Sequence, residues 1–150
     1  MKLSAAEKES LRRRLAFIAR QQLGKPYVFG AWTEEAPRHF DCSSFVQYCY
    51  MRIGIDLPRV SIKQARLGRR VPVKAGRLRA GDLIFVRGGS GHYDRRFPQG
   101  IGHVILVVGP DEVIHAKSRR VRGREAGRVI SEPLAKILRR PDITVIKRII

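Results

Sequence analysis

The sequence predicts an α+β fold in which N-terminal helices pack on a mostly antiparallel β-sheet. Helical periodicity dominates the first half of the chain, and short apolar runs separated by Gly and Pro turns dominate the second half. Helices that precede strands in this way are typical of α+β domains. The 150 residues are enough to bury a sizeable core, so we expect one domain over residues 1–150.

The first element is an amphipathic helix over residues 4–23, because apolar side chains recur there three or four positions apart and Gly24 follows. Helical spacing resumes over 42–53, and a glycine again ends the helix. A short third helix is expected over 61–67. Residues 1–23 therefore form a leading helix in front of the rest of the domain.

Five strands are expected after residue 70, because apolar runs alternate there with turn residues. Their ranges are 71–73, 82–87, 103–109, 112–115 and 143–149. Residues 24–118 make up the core that bears the motifs described below, and 119–150 form a basic C-terminal segment that ends in a strand. The Gly-rich loop 88–102 is long enough to act as a mobile or functional flap.

The charge balance is strongly basic. The chain has 31 Lys and Arg against 13 Asp and Glu, a formal net charge of +18. Such a charge attracts polyanions, which include nucleic acid, anionic lipid surfaces and the acidic polymers of bacterial walls. Aromatic residues are scarce beside the basic clusters, so nucleic acid is the less favoured partner. A solvated basic face without any partner is the alternative.

The sequence contains no membrane span and no signal peptide that we can identify. Its longest apolar stretches fall far short of the ~20 residues that a spanning helix needs. The first ten residues turn acidic and polar instead of forming an apolar core. The location therefore stays open between the cytoplasm and a wall-directed, periplasmic or extracellular site reached by another route. We expect a monomer.

A cysteine and two histidines are the candidates for chemistry. Cys42 opens the second predicted helix, where unpaired backbone N–H groups and the helix dipole favour a thiolate. His103 begins one predicted strand and His115 ends the next, so a hairpin brings both rings to the same edge of the sheet. One imidazole is then placed to act as a base for the thiol, and the other to orient it.

Other interpretations of these residues stay open. Cys42 is also consistent with a small buried side chain, as we expect for Cys49. Two histidines and a cysteine also suggest zinc, but no fourth ligand stands at a metal-like spacing, so no metal site is predicted. His39 and His92 lie in polar loops and are expected to be solvated.

Seven short motifs occur in order between residues 23 and 118. They are GKPYVFG at 24–30, FDCSSFVQY at 40–48, GIDLPR at 54–59, Gln64, GDLIF at 81–85, HV at 103–104 and IHA at 114–116. This succession resembles the NlpC-type cell-wall cysteine peptidases. Each motif is weak by itself, but their order and spacing make the resemblance specific.

The resemblance implies a papain-like α+β core and a cysteine endopeptidase. Members of this family hydrolyse amide bonds in the stem peptides of peptidoglycan, commonly between D-glutamate and a diamino acid. By position, Cys42 matches the nucleophile, His103 the general base and His115 the residue that orients the base. The resemblance implies no cofactor.

The resemblance also implies substrate-binding residues. Tyr27 matches the aromatic residue beside the oxyanion site, and Asp41 and Ser43 match residues that line a pocket for the free amine of the stem peptide. Ordinary packing of the Tyr27 ring and an N-cap role of Asp41 are the alternatives. Ser44 and Ala31 stand where the family usually has glycine, so we expect a narrower groove near the cysteine.

Two other functions compete with stem-peptide hydrolysis. The same three residues would also serve on another amide or acyl bond, because a fold does not fix the substrate. A non-catalytic binder of anionic polymer is the third hypothesis, and it depends on the basic surface rather than on the cysteine.

Overall fold

The computed structural model describes residues 2–89 and 91–150, and these form helices, strands and connecting turns. The helices are α1 (Ala5–Gln21), α2 (Cys42–Met51), α3 (Ser61–Gln64) and α4 (Leu134–Leu138). The strands are β1 (Arg69–Arg70), β2 (Leu83–Val86), β3 (His103–Val107), β4 (Glu112–Lys117), β5 (Arg120–Val121), β6 (Arg124–Glu125), β7 (Arg128–Pro133) and β8 (Ile143–Arg148). In this part of the chain, no helix has the length and apolar character needed to cross a bilayer.

Six of the strands form one sheet in the order β1-β8-β2-β3-β4-β7, and every neighbouring pair is antiparallel. β5 and β6 form a separate hairpin. Helix α2 contacts β3 and β4, and α1 packs beside α2. The predicted α+β class, with helices on an antiparallel sheet, is confirmed.

The sheet buries apolar side chains on both faces, because successive side chains of a strand point to opposite sides. One face packs against α1 and α2 and includes Phe85, Leu106 and Ile114. The other face is covered by α4 and includes Ile84 and Ile105. This burial on both faces explains why β2 and β3 appear in the sequence as continuous apolar runs instead of alternating ones.

The predicted strand at 71–73 is wrong. The pairing with β8 is made by β1 and ends at the Val71 N–H, which donates to the Ile146 carbonyl oxygen. The next residue, Pro72, has no N–H with which to continue the ladder. The other four predicted strands are present as β2, β3, β4 and β8, with ends displaced by up to two residues.

The C-terminal segment 119–150 holds more regular structure than the sequence predicts. Besides β8, it contributes β5, β6, β7 and α4. β7 lies at the sheet edge, and only two of its six side chains, Val129 and Glu132, are buried. α4 is five residues long, too short for helical periodicity to appear. Both elements depend on contacts with the rest of the fold, which a local pattern does not reveal.

The loop 88–102 is tied to the core at its described residues, and Ser90 lies outside them. Phe97 is buried, and the Asp94 carboxylate accepts hydrogen bonds from the backbone N–H groups of Arg96 and Phe97. Asp94 also pairs with Arg66, with 2.7 Å between Oδ2 and Nη2. These contacts do not support the expectation of a mobile flap.

A buried ion pair joins the start of β2 to the end of β8. Both carboxylate oxygens of Asp82 accept hydrogen bonds from the Arg148 guanidinium, from Nε and Nη2, each at 2.7 Å. The Arg79 backbone N–H also donates to this carboxylate. Asp82 therefore has the structural role at a strand start that its position after Gly81 suggests.

Replacing Asp82 with alanine is expected to destabilise the protein by about 3–5 kcal/mol, because it leaves the buried Arg148 charge without its partner. Urea unfolding followed by circular dichroism measures this loss. Asp111→Ala, which removes an exposed carboxylate just before β4, serves as the control and is expected to change stability by less than ~0.5 kcal/mol. A loss below about 1 kcal/mol in Asp82→Ala would contradict the assigned role.

Candidate active site

Cys42 occupies the first turn of α2, at the end of the helix that meets the sheet. Asp41 caps this end: its Oδ1 accepts the Ser44 N–H at 2.9 Å, and its own N–H donates to Ser44 Oγ at 3.0 Å. The backbone of Val104 lies close enough to the Cys42 thiol to lower its pKa. Because Val104 directly follows His103, the thiol lies at the point where β3 begins.

The β3–β4 hairpin brings the two predicted histidines together. His103 Nε2 and His115 Nδ1 are 2.7 Å apart, and the ring centroids are separated by 5.0 Å. The His103 ring is partly buried, whereas His115 is 1% exposed and lies within β4 rather than at its end. The contact uses His103 Nε2, so Nδ1 is the ring nitrogen that stays available for the thiol.

A carboxylate completes the row of contacts behind the histidines. His115 Nε2 lies 2.6 Å from Glu132 Oε2, and Glu132 Oε1 accepts a hydrogen bond from Lys136 Nζ, also at 2.6 Å. Burial raises the pKa of Glu132, but the hydrogen bonds from Lys136 and His115 outweigh it and hold this pKa at about 2. Glu132 is therefore an anion at neutral pH.

Sequence analysis missed Glu132 because it lies in β7, which was not predicted, and belongs to none of the seven motifs. Only the pairing of β7 with β4 brings it to His115. The nearest sequence signal is the spacing of Glu132 and Lys136, four positions apart, which favours an ion pair on a helical turn but does not point to a histidine.

The protonation state of Cys42 differs from the thiolate that its helix position suggests. Burial and the Asp41 carboxylate raise the pKa of Cys42 to about 11, against the hydrogen bonds from the backbone at Val104 and Ser43. Burial and the neighbouring His115 lower the pKa of His103 to about 3. Desolvation thus acts against the helix terminus and favours a neutral thiol and a neutral imidazole.

Tyr27 lies beside the thiol and lines the same cleft. Burial, followed by the nearby Cys42 and Asp41, raises the pKa of Tyr27, so its hydroxyl keeps its proton and acts as a hydrogen-bond donor at neutral pH. The backbone N–H of Cys42 has no acceptor within residues 2–89 and 91–150. Both donors are therefore available near the sulfur.

Asp41 and Ser43 are held together by Arg59, which the sequence analysis did not assign to the site. Arg59 Nη2 donates to Asp41 Oδ2 at 2.7 Å, and Nη1 donates to Ser43 Oγ at 2.8 Å. Asp41 also caps α2, so the alternative interpretation of this residue is correct as far as the helix is concerned. The sequence feature that could have indicated a role for Arg59 is its position directly after Leu57 and Pro58, within one of the seven motifs.

The cleft beside Cys42 has a volume of about 750 Å³. Its rim carries two exposed aromatic side chains, Phe29 and Trp32, which are 82% and 73% exposed. His92 is exposed and lines this cleft, so it lies closer to the site than expected. His39 was expected to be solvated but is partly buried and lies 2.8 Å from the Glu35 carboxylate.

Cys49 does not line the cleft beside Cys42. It is fully buried on the core side of α2, as predicted, and burial raises its pKa. Over the part of the chain that the structure describes, no group of three or more His, Cys, Asp or Glu side chains is arranged to hold a metal ion.

Comparison with known proteins gives the family. A sequence model of the NlpC/P60 family matches residues 24–139, which include Cys42, both histidines and Glu132. The chain belongs to the NlpC/P60 family. The match continues past the motif-bearing region into β7 and α4, so this part of the C-terminal segment is also part of the NlpC/P60 domain.

Two relatives and one solved structure illustrate the similarity. The chain is 34% identical over 104 residues to "Probable endopeptidase p60" of Listeria innocua, which covers 69% of this chain and 19% of that protein. It is 30% identical over 136 residues to "Peptidoglycan endopeptidase RipB" of Mycobacterium tuberculosis, covering 84% of this chain and 49% of that protein. The solved structure of the peptidoglycan hydrolase RipB gives a TM-score of 0.70 at 27% identity over 99% of this chain and 69% of that chain.

These relatives are longer than this NlpC/P60 chain, which spans about a fifth of p60 and about half of RipB. Nearly the whole of this chain shares its fold with RipB, and both relatives contain further sequence outside the matched region.

The two roles of Asp41 are separable by substitution. Asp41→Asn keeps a good N-cap side chain but loses the ionic contact with Arg59, whereas Asp41→Ala loses both. The two variants therefore differ only in the N-cap contact, and we expect the alanine variant to be less stable than the asparagine variant by about 1–2 kcal/mol in urea unfolding. Equal stabilities of the two variants would show that the capping contact contributes nothing.

Proposed function

We propose that this chain is a cysteine endopeptidase that hydrolyses amide bonds in peptidoglycan stem peptides, acting as a monomeric, single catalytic domain. The observation that supports it most is the Cys42 thiol in the first turn of α2, next to the backbone of Val104, which directly follows His103 of the hydrogen-bonded His103–His115 pair. The names of the relatives, an endopeptidase and a peptidoglycan endopeptidase, agree with this assignment.

In the first half of the proposed reaction, the Cys42 sulfur attacks the carbonyl carbon of the scissile amide while its proton passes to His103 Nδ1. A C–S bond forms, and the carbonyl π electrons move onto oxygen. The Cys42 backbone N–H and the Tyr27 hydroxyl are the donors available to this oxyanion. The C–N bond then breaks, and the His103 imidazolium gives its proton to the leaving amine.

In the second half, water attacks the thioester carbon while His103 takes one of its protons. The C–S bond breaks, the sulfur recovers that proton from His103, and the carboxylic acid is released. Neutral thiol and neutral imidazole are regenerated, which is the resting state that burial of both groups favours.

We propose the bond between D-glutamate and the diamino acid as the one that is cleaved. The proposal rests on the family resemblance and on the matching positions of Tyr27, Asp41 and Ser43 around the cleft. Because Arg59 already pairs with Asp41, a substrate ammonium would share that carboxylate with the guanidinium instead of meeting a free charge. The Asp41 carboxylate would therefore accept a hydrogen bond from the substrate amine, but Arg59 would neutralise part of the negative charge of this carboxylate.

Purified stem peptides incubated with the protein are expected to be cleaved after D-glutamate, as seen from the masses of the two products. Cys42→Ala is expected to lower kcat/KM by at least about 10³-fold because it removes the nucleophile. Cys49→Ala, which removes the other cysteine of the chain, is the matched control and retains hydrolysis.

Three outcomes would count against this function. Hydrolysis by Cys42→Ala at the wild-type rate would exclude the nucleophile. Cleavage at a different bond, or of an unrelated amide or ester only, would move the same three residues to another substrate. Failure of the folded wild-type protein to cleave any of these substrates would favour the non-catalytic binder.

We also propose that one end of the molecule binds a phosphate-containing anionic polymer of the cell wall. Two cavities of about 480 and 330 Å³ share Arg69, Arg79 and Arg148, and further basic side chains line them, namely Lys8, Arg12 and Arg77. No Asp or Glu side chain lines either cavity, and no residue lines both these cavities and the cleft beside Cys42. An anion bound here therefore leaves the cleft open.

A polymer of the cell wall fits these cavities better than nucleic acid does. No aromatic side chain lines them, so they offer phosphate contacts but no platform on which bases stack. Arg148 is already paired with Asp82, whereas Arg69, Arg77 and Arg79 have no carboxylate partner within residues 2–89 and 91–150. Their charge is therefore available to a ligand.

Binding to purified wall teichoic acid, a polyol phosphate, is expected to weaken with rising salt. The reason is that binding releases counterions from the polymer, and added salt opposes this release. Arg69→Ala/Arg79→Ala is expected to weaken it about tenfold more than Arg38→Ala/Arg139→Ala, a control that removes the same charge from exposed positions outside these cavities. Titration followed by fluorescence anisotropy measures both. Equal losses in the two double variants, or tighter binding to a single-stranded DNA oligonucleotide than to the polymer, would contradict the proposal.

A further inference from the structure

We propose that Glu132 is a positioning residue that fixes the tautomer of His115 and, through His115, directs an unprotonated ring nitrogen of His103 at Cys42. This inference deepens the proposed function and rests on it for its catalytic meaning. It adds to the Cys-His-His arrangement a fourth side chain, supplied by an edge strand outside all of the sequence motifs.

Lys136, Glu132, His115 and His103 form a row of hydrogen-bonded side chains, and the order of donors and acceptors along it follows from Lys136. Lys136 Nζ only donates, so Glu132 Oε1 must accept from it. The ionised carboxylate is acceptor-only, so at the other end of the side chain the hydrogen at the 2.6 Å contact belongs to His115 Nε2. A neutral imidazole carries one N–H, and His115 Nδ1 is therefore left with a lone pair.

The same logic passes to the second ring. His115 Nδ1 accepts, so the hydrogen at the 2.7 Å contact belongs to His103 Nε2. His103 is neutral, which leaves its Nδ1 unprotonated and able to take the proton of Cys42. Reversing the tautomer of His115 would place the hydrogen of His103 on Nδ1, and the base would then have no lone pair for the thiol.

The fold places Glu132 by strand register. β4 and β7 pair so that Val113 is opposite Glu132 and His115 is opposite Ile130. His115 and Glu132 are therefore diagonal neighbours on one face of the sheet, within reach of each other's long side chains. α4 begins directly after β7 and brings Lys136 back to the same carboxylate.

The other charges around the two rings do not replace Glu132. Lys117 and Arg140 act on both histidines and oppose a positive charge there, and Asp142 acts in the opposite sense on His103 but is already paired with Arg140. Within the described residues, Glu132 is the carboxylate in direct contact with His115. It is also placed to stabilise the imidazolium that forms when the thiol gives up its proton.

An isosteric substitution tests this inference. In Glu132→Gln the amide oxygen is expected to face the Lys136 ammonium, which leaves the amide NH₂ group to donate to His115 Nε2. His115 must then carry its hydrogen on Nδ1, and His103 is expected to switch to the Nδ1–H form. We expect kcat to fall by about 10³- to 10⁴-fold, the scale seen when an orienting carboxylate becomes an amide in a serine protease.

A second substitution makes the test reversible. In Glu132→Gln/Lys136→Met the amide has no ammonium to satisfy and is free to turn its oxygen towards His115. We expect kcat of this double variant to be at least about tenfold higher than kcat of Glu132→Gln. Lys136→Met alone is the control, and we expect it to lower kcat of the otherwise wild-type protein only slightly. Thermal unfolding of all variants by circular dichroism reports any loss that comes from the fold alone.

The tautomers are read directly from ¹⁵N chemical shifts of the imidazole rings, which distinguish protonated from unprotonated ring nitrogens. The chain has four histidines, and His39 and His92, outside the row, serve as internal references. We expect His103 to be Nε2–H in the wild type and in the double variant, and Nδ1–H in Glu132→Gln.

Two results would overturn the inference: an unchanged His103 tautomer in folded Glu132→Gln, or a kcat for that variant within about threefold of wild type. Because the ¹⁵N measurement needs no substrate, it decides the role of Glu132 even if the wild-type protein hydrolyses no stem peptide. If the wild-type protein hydrolyses no stem peptide, the proposed function is wrong, but the measured tautomers still decide whether Glu132 positions the two histidines.

Discussion

The buried imidazole of His115 is the group on which the arrangement of the site depends. It is 1% exposed, so water does not satisfy its ring nitrogens, and a buried polar group left without a partner costs about 1–3 kcal/mol. His103 satisfies Nδ1 and Glu132 satisfies Nε2. Those partners come from the strands on either side of β4, so the antiparallel order β3-β4-β7 is what makes a histidine tolerable at this point of the sheet.

The position of Cys42 follows from a second set of contacts, which belongs to α2. Asp41 caps the helix and is held in turn by Arg59, so the end of the helix that carries the thiol is fixed by hydrogen bonds before any substrate binds. The backbone of Val104, in β3, lies next to this thiol. Helix and strand therefore present a neutral thiol to a neutral imidazole in a desolvated setting, where proton transfer between them is coupled to attack on the substrate. The basic cavities at Arg69 and Arg79 lie elsewhere and share no lining residue with the cleft beside Cys42.

Much of this could be predicted from the sequence, because the relevant signals are local. Helical and strand periodicity gave the α+β class, and the order of the motifs indicated the family to which the chain belongs. Glu132 could not be found in this way, since its partner is reached only through strand pairing, and β7 shows little apolar signal at the edge of the sheet. The effect of burial on the Cys42 thiol could not be predicted from local sequence either. The helix start favours a thiolate, but burial acts more strongly, and burial depends on the whole fold.

The most direct test of the account is the pH dependence of iodoacetamide alkylation of Cys42, measured in Cys49→Ala so that Cys42 is the one remaining cysteine. We expect His103 to act as the base for the thiol, so that alkylation at neutral pH is at least about tenfold faster than in Cys49→Ala/His103→Ala. Without His103, the buried thiol has no base to take its proton, so alkylation should become appreciable only as the pH rises towards the raised pKa of this thiol. Identical pH profiles for the two proteins would show that His103 does not accept the proton of Cys42, and the proposed mechanism would then be wrong.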